Sequence, residues 1–184
     1  FAHFLQYGLK ITERAEYEFR AMDMGNVMHM ALEKFAAEVR KEGLDWAELT
    51  EEERNRIIDS CLDQVSADYG NTILKSSARN EYMIERTRRI LRRTVWALQE
   101  QLKHGAFRPE GFEVRFQGGR IDRVDIMEEP ENNRVYVKVI DFKTGNTSFD
   151  LLALYHGLQL QLMVYLDGAL QVEKRKYPDR EIVP

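Results

Sequence analysis

The sequence has 184 residues, enough for one domain with a core of its own. Hydrophobic residues at 43% and charged residues at 32%, with only 4 Pro and 11 Gly, exclude collagen-like, low-complexity and fully disordered chains. The 27 basic and 31 acidic residues leave a net charge of −4, which argues against binding a polyanion through bulk charge, and the single cysteine, Cys61, excludes an internal disulfide framework.

The chain opens on Phe1 rather than Met. Phe1-Ala2-His3-Phe4-Leu5 is apolar, but no basic stretch precedes it and no small-residue cleavage site follows. It therefore reads as part of a longer protein rather than as a secretory leader. No run of 18 apolar residues occurs, so no membrane-spanning helix is expected.

From Asp23 to about Arg40, Val27, Met30, Ala31, Lys34 and Phe35 recur at helical steps, and Gly43 ends the pattern. Thr50 and Glu53 have capping-box spacing ahead of a second helix over 53–67, carried by Ile57, Ile58, Cys61, Leu62 and Val65. Tyr69-Gly70-Asn71 breaks it. Residues 78–103 read as a third helix with Ile84, Leu91, Val95, Leu98 and Leu102 as its apolar stripe. Arg86, Arg89 and Arg93 fall on the opposite side, flanked by Arg88 and Arg92. Five arginines and two glutamates lie between Glu81 and Arg93, so the basic charge is concentrated on one helix.

Then the period changes. Gly111 to Phe116 is short and extended. Arg120–Met127 and Val135–Lys143 alternate as strands, with Pro130-Glu131-Asn132-Asn133 as the turn between them. Leu151 to Val172 reads as one helix. Glu173 to Pro184 reads as a charged loop leading toward a strand beyond this sequence. Helices, then a small antiparallel set of strands, then a helix give an α/β or α+β domain.

The chemistry concentrates in Gly119-Arg120-Ile121-Asp122-Arg123-Val124-Asp125 and in Val139-Ile140-Asp141-Phe142-Lys143-Thr144-Gly145. Strand alternation puts Asp141 and Lys143 on one face. A hairpin brings Asp122 beside Asp141, where two carboxylates could share a hard divalent cation and Lys143 could orient a water or neutralise phosphate charge. The bland alternative is a hairpin charged for solubility. Two further constellations stand beside it. His29, in Gly25-Asn26-Val27-Met28-His29, could offer a metal a neutral nitrogen or be a satisfied core histidine. Gln161 and Tyr165 share a helical face, with Gln159 as an alternative to Gln161. For the arginines, contact with phosphate competes with a solvated helix face.

The order G-x-x-x-H, G-R-I-D-R-V-D, V-I-D-F-K-T-G and Q-x-x-x-Y resembles the motifs of the PD-(D/E)xK nuclease superfamily in its RecB-like branch. Phe1-Ala2-His3-Phe4, Asp23-Met24-Gly25-Asn26 and Gly157-Leu158-Gln159-Leu160-Gln161-Leu162 are similar to the C-terminal nuclease domains of AddB-type subunits in bacterial helicase–nucleases. The resemblance implies a restriction-endonuclease-like α/β core, a central mixed sheet flanked by helices, with an N-terminal helical portion. Residues 1–184 would form one nuclease domain: a mainly helical part over 1–110, and a catalytic hairpin and helix core over 111–184.

The resemblance also implies residue roles. His29, Asp122, Asp141 and the backbone carbonyl of Ile140 would hold Mg²⁺, with Mn²⁺ able to substitute. Lys143 would be catalytic beside Asp122 and Asp141. Gln161 and Tyr165 would line the DNA site, with Arg89 and Arg93 as further substrate contacts. Glu113 matches an acidic residue found ahead of the strand pair. The implied activity is metal-dependent, exonuclease-type hydrolysis of DNA during double-strand-break processing for recombinational repair. The implied partners are single-stranded DNA ends and a helicase–nuclease partner subunit, in the bacterial cytoplasm. AddB-type domains carry four cysteines that hold an iron–sulfur cluster; none is present here, and Cys61 does not match their positions. The rival readings are a catalytically inactive DNA-binding fold and a scaffold for the helicase partner.

Overall fold

The first helix, α1 (Ala21–Lys41), buries Val27, Ala31, Leu32, Phe35 and Val39, whose spacing makes one continuous apolar face. In the computed structural model, residues 21–70, 78–143, 148, 150–156 and 160–184 are described. The Phe1–Phe4 segment, Asn71, Thr144, Gly145, Gly157, Leu158 and Gln159 lie outside them.

Helix α2 (Glu51–Gly70) starts where the sequence predicts. Thr50 Oγ1 accepts from the Glu53 N–H at 3.2 Å, and Glu53 Oε2 accepts from the Thr50 N–H at 3.0 Å. The two side chains thus satisfy donors that the first turn leaves open. Helix α3 (Ala78–His104) buries Leu91, Val95 and Leu98 against α1 and α2, with Ile84 and Leu102 at the edges.

The strands β1 (Arg108–Phe116), β2 (Gly119–Glu129) and β3 (Arg134–Ile140) form an antiparallel meander. A 3₁₀ turn at Pro130–Asn132 joins the last two, closed by Asn133 at φ 56°, a left-handed conformation that asparagine tolerates. Helices α4 (Leu151–Tyr155) and α5 (Gln161–Lys176) follow, and β4 (Glu181–Val183) pairs in parallel with β3. The sheet is mixed, in the order β1-β2-β3-β4.

Two expectations change. The helical run of Leu151–Val172 is interrupted, because the His156 N–H bonds back to Leu152 O at 3.0 Å and closes α4. The charged tail is not a loop. Helix α5 continues to Lys176, since Glu173 is buried and ion-paired to Lys176, and the chain then adds its own strand, β4. Arg134 Nε to Glu181 Oε2 at 2.7 Å and Asn133 Nδ2 to Asp179 O at 2.7 Å hold that strand in place.

Among the described residues there are two cores. One joins α1, α2 and α3; the other joins the inner sheet residues Ile121, Val124, Ile126, Val135 and Val137 to Ala169 of α5. Trp46 and Phe112 link the parts, stacked 5.5 Å apart with 15° between their planes. Arg123 lies over both rings, fully buried, and donates two hydrogen bonds to the equally buried Asp125 (2.5 and 2.9 Å). On the other side, the Phe116 ring fills space left by glycines. A Cβ added at Gly168 would lie 2.7 Å from Phe116 Cγ, and one at Gly118 would lie 3.0 Å from Phe116 Cζ. That close approach seats α5 on the hairpin, with Tyr165 edge-on to Phe116 at 5.8 Å.

Candidate active site

Asp122 and Asp141 stand at successive positions just beyond the last β2–β3 pair, Arg123 with Ile140. The strand ends at Ile140, yet Asp141 and Lys143 still meet on one side, with Nζ to Oδ2 at 2.7 Å. Lys143 also donates to Gln161 Oε1 at 3.0 Å, and Gln161 Nε2 donates to Tyr165 OH at 2.9 Å. A polar chain therefore runs Asp141–Lys143–Gln161–Tyr165, from the end of β3 along the first turn of α5. The hydrogen bond to Asp141 raises the Lys143 pKa, against a smaller opposing effect of burial.

The second half of the site comes from α1 and β1. His29 lies four residues after Gly25, on the helix face that meets the sheet. Its Nδ1 sits 3.3 Å from Asp122 Oδ1 and 3.5 Å from Glu113 Oε1. Asp122 Oδ2 accepts the Phe142 N–H at 2.6 Å. Glu113 is held at φ 51°, the left-handed region, which a glutamate occupies at a cost of about 1–3 kcal/mol. Its carboxylate is almost fully buried and is ion-paired to Arg120 Nε.

The charges follow from these contacts. The hydrogen bond to Asp122 holds the His29 pKa above its ordinary value, although burial opposes it. Burial pushes Glu113 up, with Arg120 pulling the other way. For Asp122, burial also pushes up, but the hydrogen bonds from His29 and the Phe142 N–H outweigh it and hold the carboxyl below its ordinary range.

His29, Glu113 and Asp122 each offer one ligand atom within 4.8 Å of the others, among the described residues. One imidazole nitrogen and two carboxylate oxygens suit a hard divalent cation that keeps several waters. The donor chemistry fits. Glu113 is inside this cluster, whereas the Asp141 carboxylate is turned to Lys143. Ile140 ends β3 beside them. The cluster opens into a cleft of about 660 Å³ that Arg120 and Tyr165 also border. Arg120 carries no signal of its own in the sequence; only the pairing of β1 with β2 puts it beside Glu113.

The arginine helix divides in two. Arg88 pairs with Asp63 (2.7 Å), Asp59 (3.4 Å) and Glu85 (3.1 Å), and Arg92 Nε with Asp59 Oδ1 (2.9 Å). Arg86, Arg89 and Arg93 are exposed and form no ion pair among the described residues.

The sequence model of the PD-(D/E)XK nuclease superfamily matches residues 1–183. The chain belongs to the PD-(D/E)XK nuclease superfamily. The Asp122, Asp141 and Lys143 grouping is thus found at the ends of the two inner strands of a PD-(D/E)XK nuclease domain. The sequence is also similar to the B subunit of the ATP-dependent helicase/deoxyribonuclease of Lachnoclostridium phytofermentans, 45% identical over 192 residues. The subunits of the same name from Alkaliphilus metalliredigens and Clostridium botulinum (strain Loch Maree) are 36% and 38% identical over 197 and 194 residues. These matches cover 100%, 96% and 92% of this chain but only 17%, 17% and 16% of those proteins. No described helix is long and apolar enough to cross a membrane.

Proposed function

We propose that this domain is a metal-dependent DNA nuclease that hydrolyses phosphodiester bonds. The observation that supports it best is the joining of His29, Glu113 and Asp122 to the Asp141–Lys143 pair where the inner strands β2 and β3 meet at one end. A bound divalent cation, Mg²⁺ or Mn²⁺, would supply charge neutralisation at the phosphate and a more acidic water. His29, Asp122 and Glu113 would hold it, with Asp141 and the Ile140 carbonyl completing the set from the end of β3. Lys143, oriented by Asp141 and Gln161, would position the attacking water and offset developing negative charge. Tyr165 and Gln161 would border the strand being cut, and Arg89 and Arg93 would contact its phosphates. The polymer is DNA by analogy with the deoxyribonuclease subunits that the chain matches. From the motif resemblance we further propose that it works on single-stranded ends, in exonuclease mode, beside a helicase partner in the bacterial cytoplasm, during double-strand-break processing for recombinational repair.

The test is Asp141→Ala with Mg²⁺ and a labelled single-stranded oligonucleotide. Loss of cleavage with an unchanged circular dichroism spectrum is expected. Cleavage at the parent rate would sink the assignment.

A further inference from the structure

We propose a separate binding cleft for single-stranded DNA between the start of α2 and the outer face of α3. Tyr82, Arg86, Arg89, Arg93 and Trp96 recur at four- and three-residue steps, so they form one stripe along α3. Both aromatic rings are unusually open for their size, Tyr82 at 59% and Trp96 at 47% exposed. At the Trp96 end of this stripe, Arg89, Arg93 and Trp96 border a cleft of about 540 Å³ with Arg54 and Asn55 of α2.

The floor of that cleft is incompletely satisfied. Arg54 is only 7% exposed. One of its nitrogens donates to Gln99 Oε1 at 2.5 Å, and Gln99 is fixed in turn by Leu49 O at 2.6 Å. Yet Arg54 Nε and Asn55 Oδ1 have no hydrogen-bond partner, and Arg54 forms no ion pair among the described residues. A buried cation with no ion-pair partner is costly, and Glu100, which Arg54 influences only weakly through space, does not close such a pair. Arg92, on the same wall, is already matched by Asp59, and only Glu51 brings an acid to the lining. The cleft is therefore short of negative charge, and an anion would relieve it.

The rings decide which anion. A duplex hides its base faces, whereas an unpaired strand offers a phosphate and a stackable base at each step. Arginines bracketed by two exposed aromatics match that repeat. The cleft is also placed to feed the acids. Ile90 and Thr94, the residues that follow Arg89 and Arg93 on α3, line a pocket with His29 and Lys143. A strand lying in the cleft has only to cross α3 to reach them. The identity of the strand as DNA rests on the proposed function above; the cleft itself does not.

The experiment is titration of the chain with a short oligothymidylate in EDTA, read by tryptophan fluorescence. Trp46 is buried, so the signal belongs to Trp96. Saturable quenching is expected. Arg89→Gln/Arg93→Gln should lower the slope of log K against log salt by roughly 1.4, about 0.7 for each phosphate no longer neutralised. Trp96→Ala should weaken binding of a labelled strand roughly 5- to 150-fold, the range for one stacked base, and Trp96→Phe should recover most of it. An unchanged salt slope, or Trp96→Ala binding like the parent, overturns the proposal. So does equal quenching by inorganic phosphate, or loss of a protein partner by these variants while they keep the strand. Cleavage by the parent chain with Mg²⁺ separates the two readings: a parent that shows the quenching but never cleaves removes the nuclease proposal and leaves the cleft, whereas a parent that cleaves without quenching removes the cleft and leaves the nuclease.

Discussion

Replacing Arg123 with methionine removes a buried charge while keeping most of its volume against Trp46 and Phe112. The structure gives the size of the effect. Asp125 has no exposure, and its two short hydrogen bonds come from Arg123. Among the described residues the one other cation paired with it is Lys138, at 3.4 Å and partly exposed. Removing one partner of a buried pair costs about 3–5 kcal/mol, and the nearby lysine argues for the lower end, about 3 kcal/mol. That is a large share of the roughly 5–15 kcal/mol that holds a typical domain together. Urea unfolding followed by Trp46 fluorescence reads it directly. Arg123→Met/Asp125→Leu should return to within about 1 kcal/mol of the parent, because it leaves no orphaned charge. A single variant that loses under about 1 kcal/mol, or a double variant less stable than the single, would refute the reasoning.

Other outcomes follow from packing and capping. Gly168→Ala forces a methyl into the Phe116 ring. It should lower the melting temperature, and it should weaken cleavage more than stability alone explains by displacing α5 with Gln161 and Tyr165; unchanged melting and activity would show that the ring simply moves. Burial pushes the Cys61 thiol up to about 11, so a thiol reagent should label it only on unfolding, whereas rapid labelling of the native chain would contradict its burial. The hydrogen bonds from the Thr50 N–H and hydroxyl hold Glu53 below its ordinary pKa. A lowered folded value means that its stabilisation is present above about pH 4.5 and is lost as pH falls through the folded value. Thr50→Ala removes the hydroxyl but keeps the N–H, so it should move the Glu53 titration only part of the way back up by NMR, and an unmoved titration would dismiss the hydroxyl's share.

Much of this was legible in the sequence because it is local. The apolar stripe of α3, the Thr50–Glu53 cap and the turn at Pro130 each depend on residues within a few positions of one another. The union of the motifs around Asp122, Asp141, Lys143, Gln161 and Tyr165 was also readable, through family resemblance rather than periodicity. What escaped depends on distant pairing. Nothing near Arg88 and Arg92 announces that Asp59 and Asp63 neutralise them from another helix. Nothing in Glu181–Val183 says that β3 will accept it as a parallel neighbour, since such a short strand gains its order from Arg134 and Asn133. The left-handed backbone at Glu113 is equally silent, because the residue type argues against it.

The adjacent residues Asp122 and Arg123 carry a further consequence. Strand geometry sends them to opposite faces, one toward His29 and the other beneath Trp46. A slip of β2 by a single residue would exchange them, placing a guanidinium among the acids and a lone carboxylate under two aromatic rings. Neither half could tolerate the other's charge. The strand therefore checks its own alignment, and a chain that pairs wrongly loses its fold and its chemistry together.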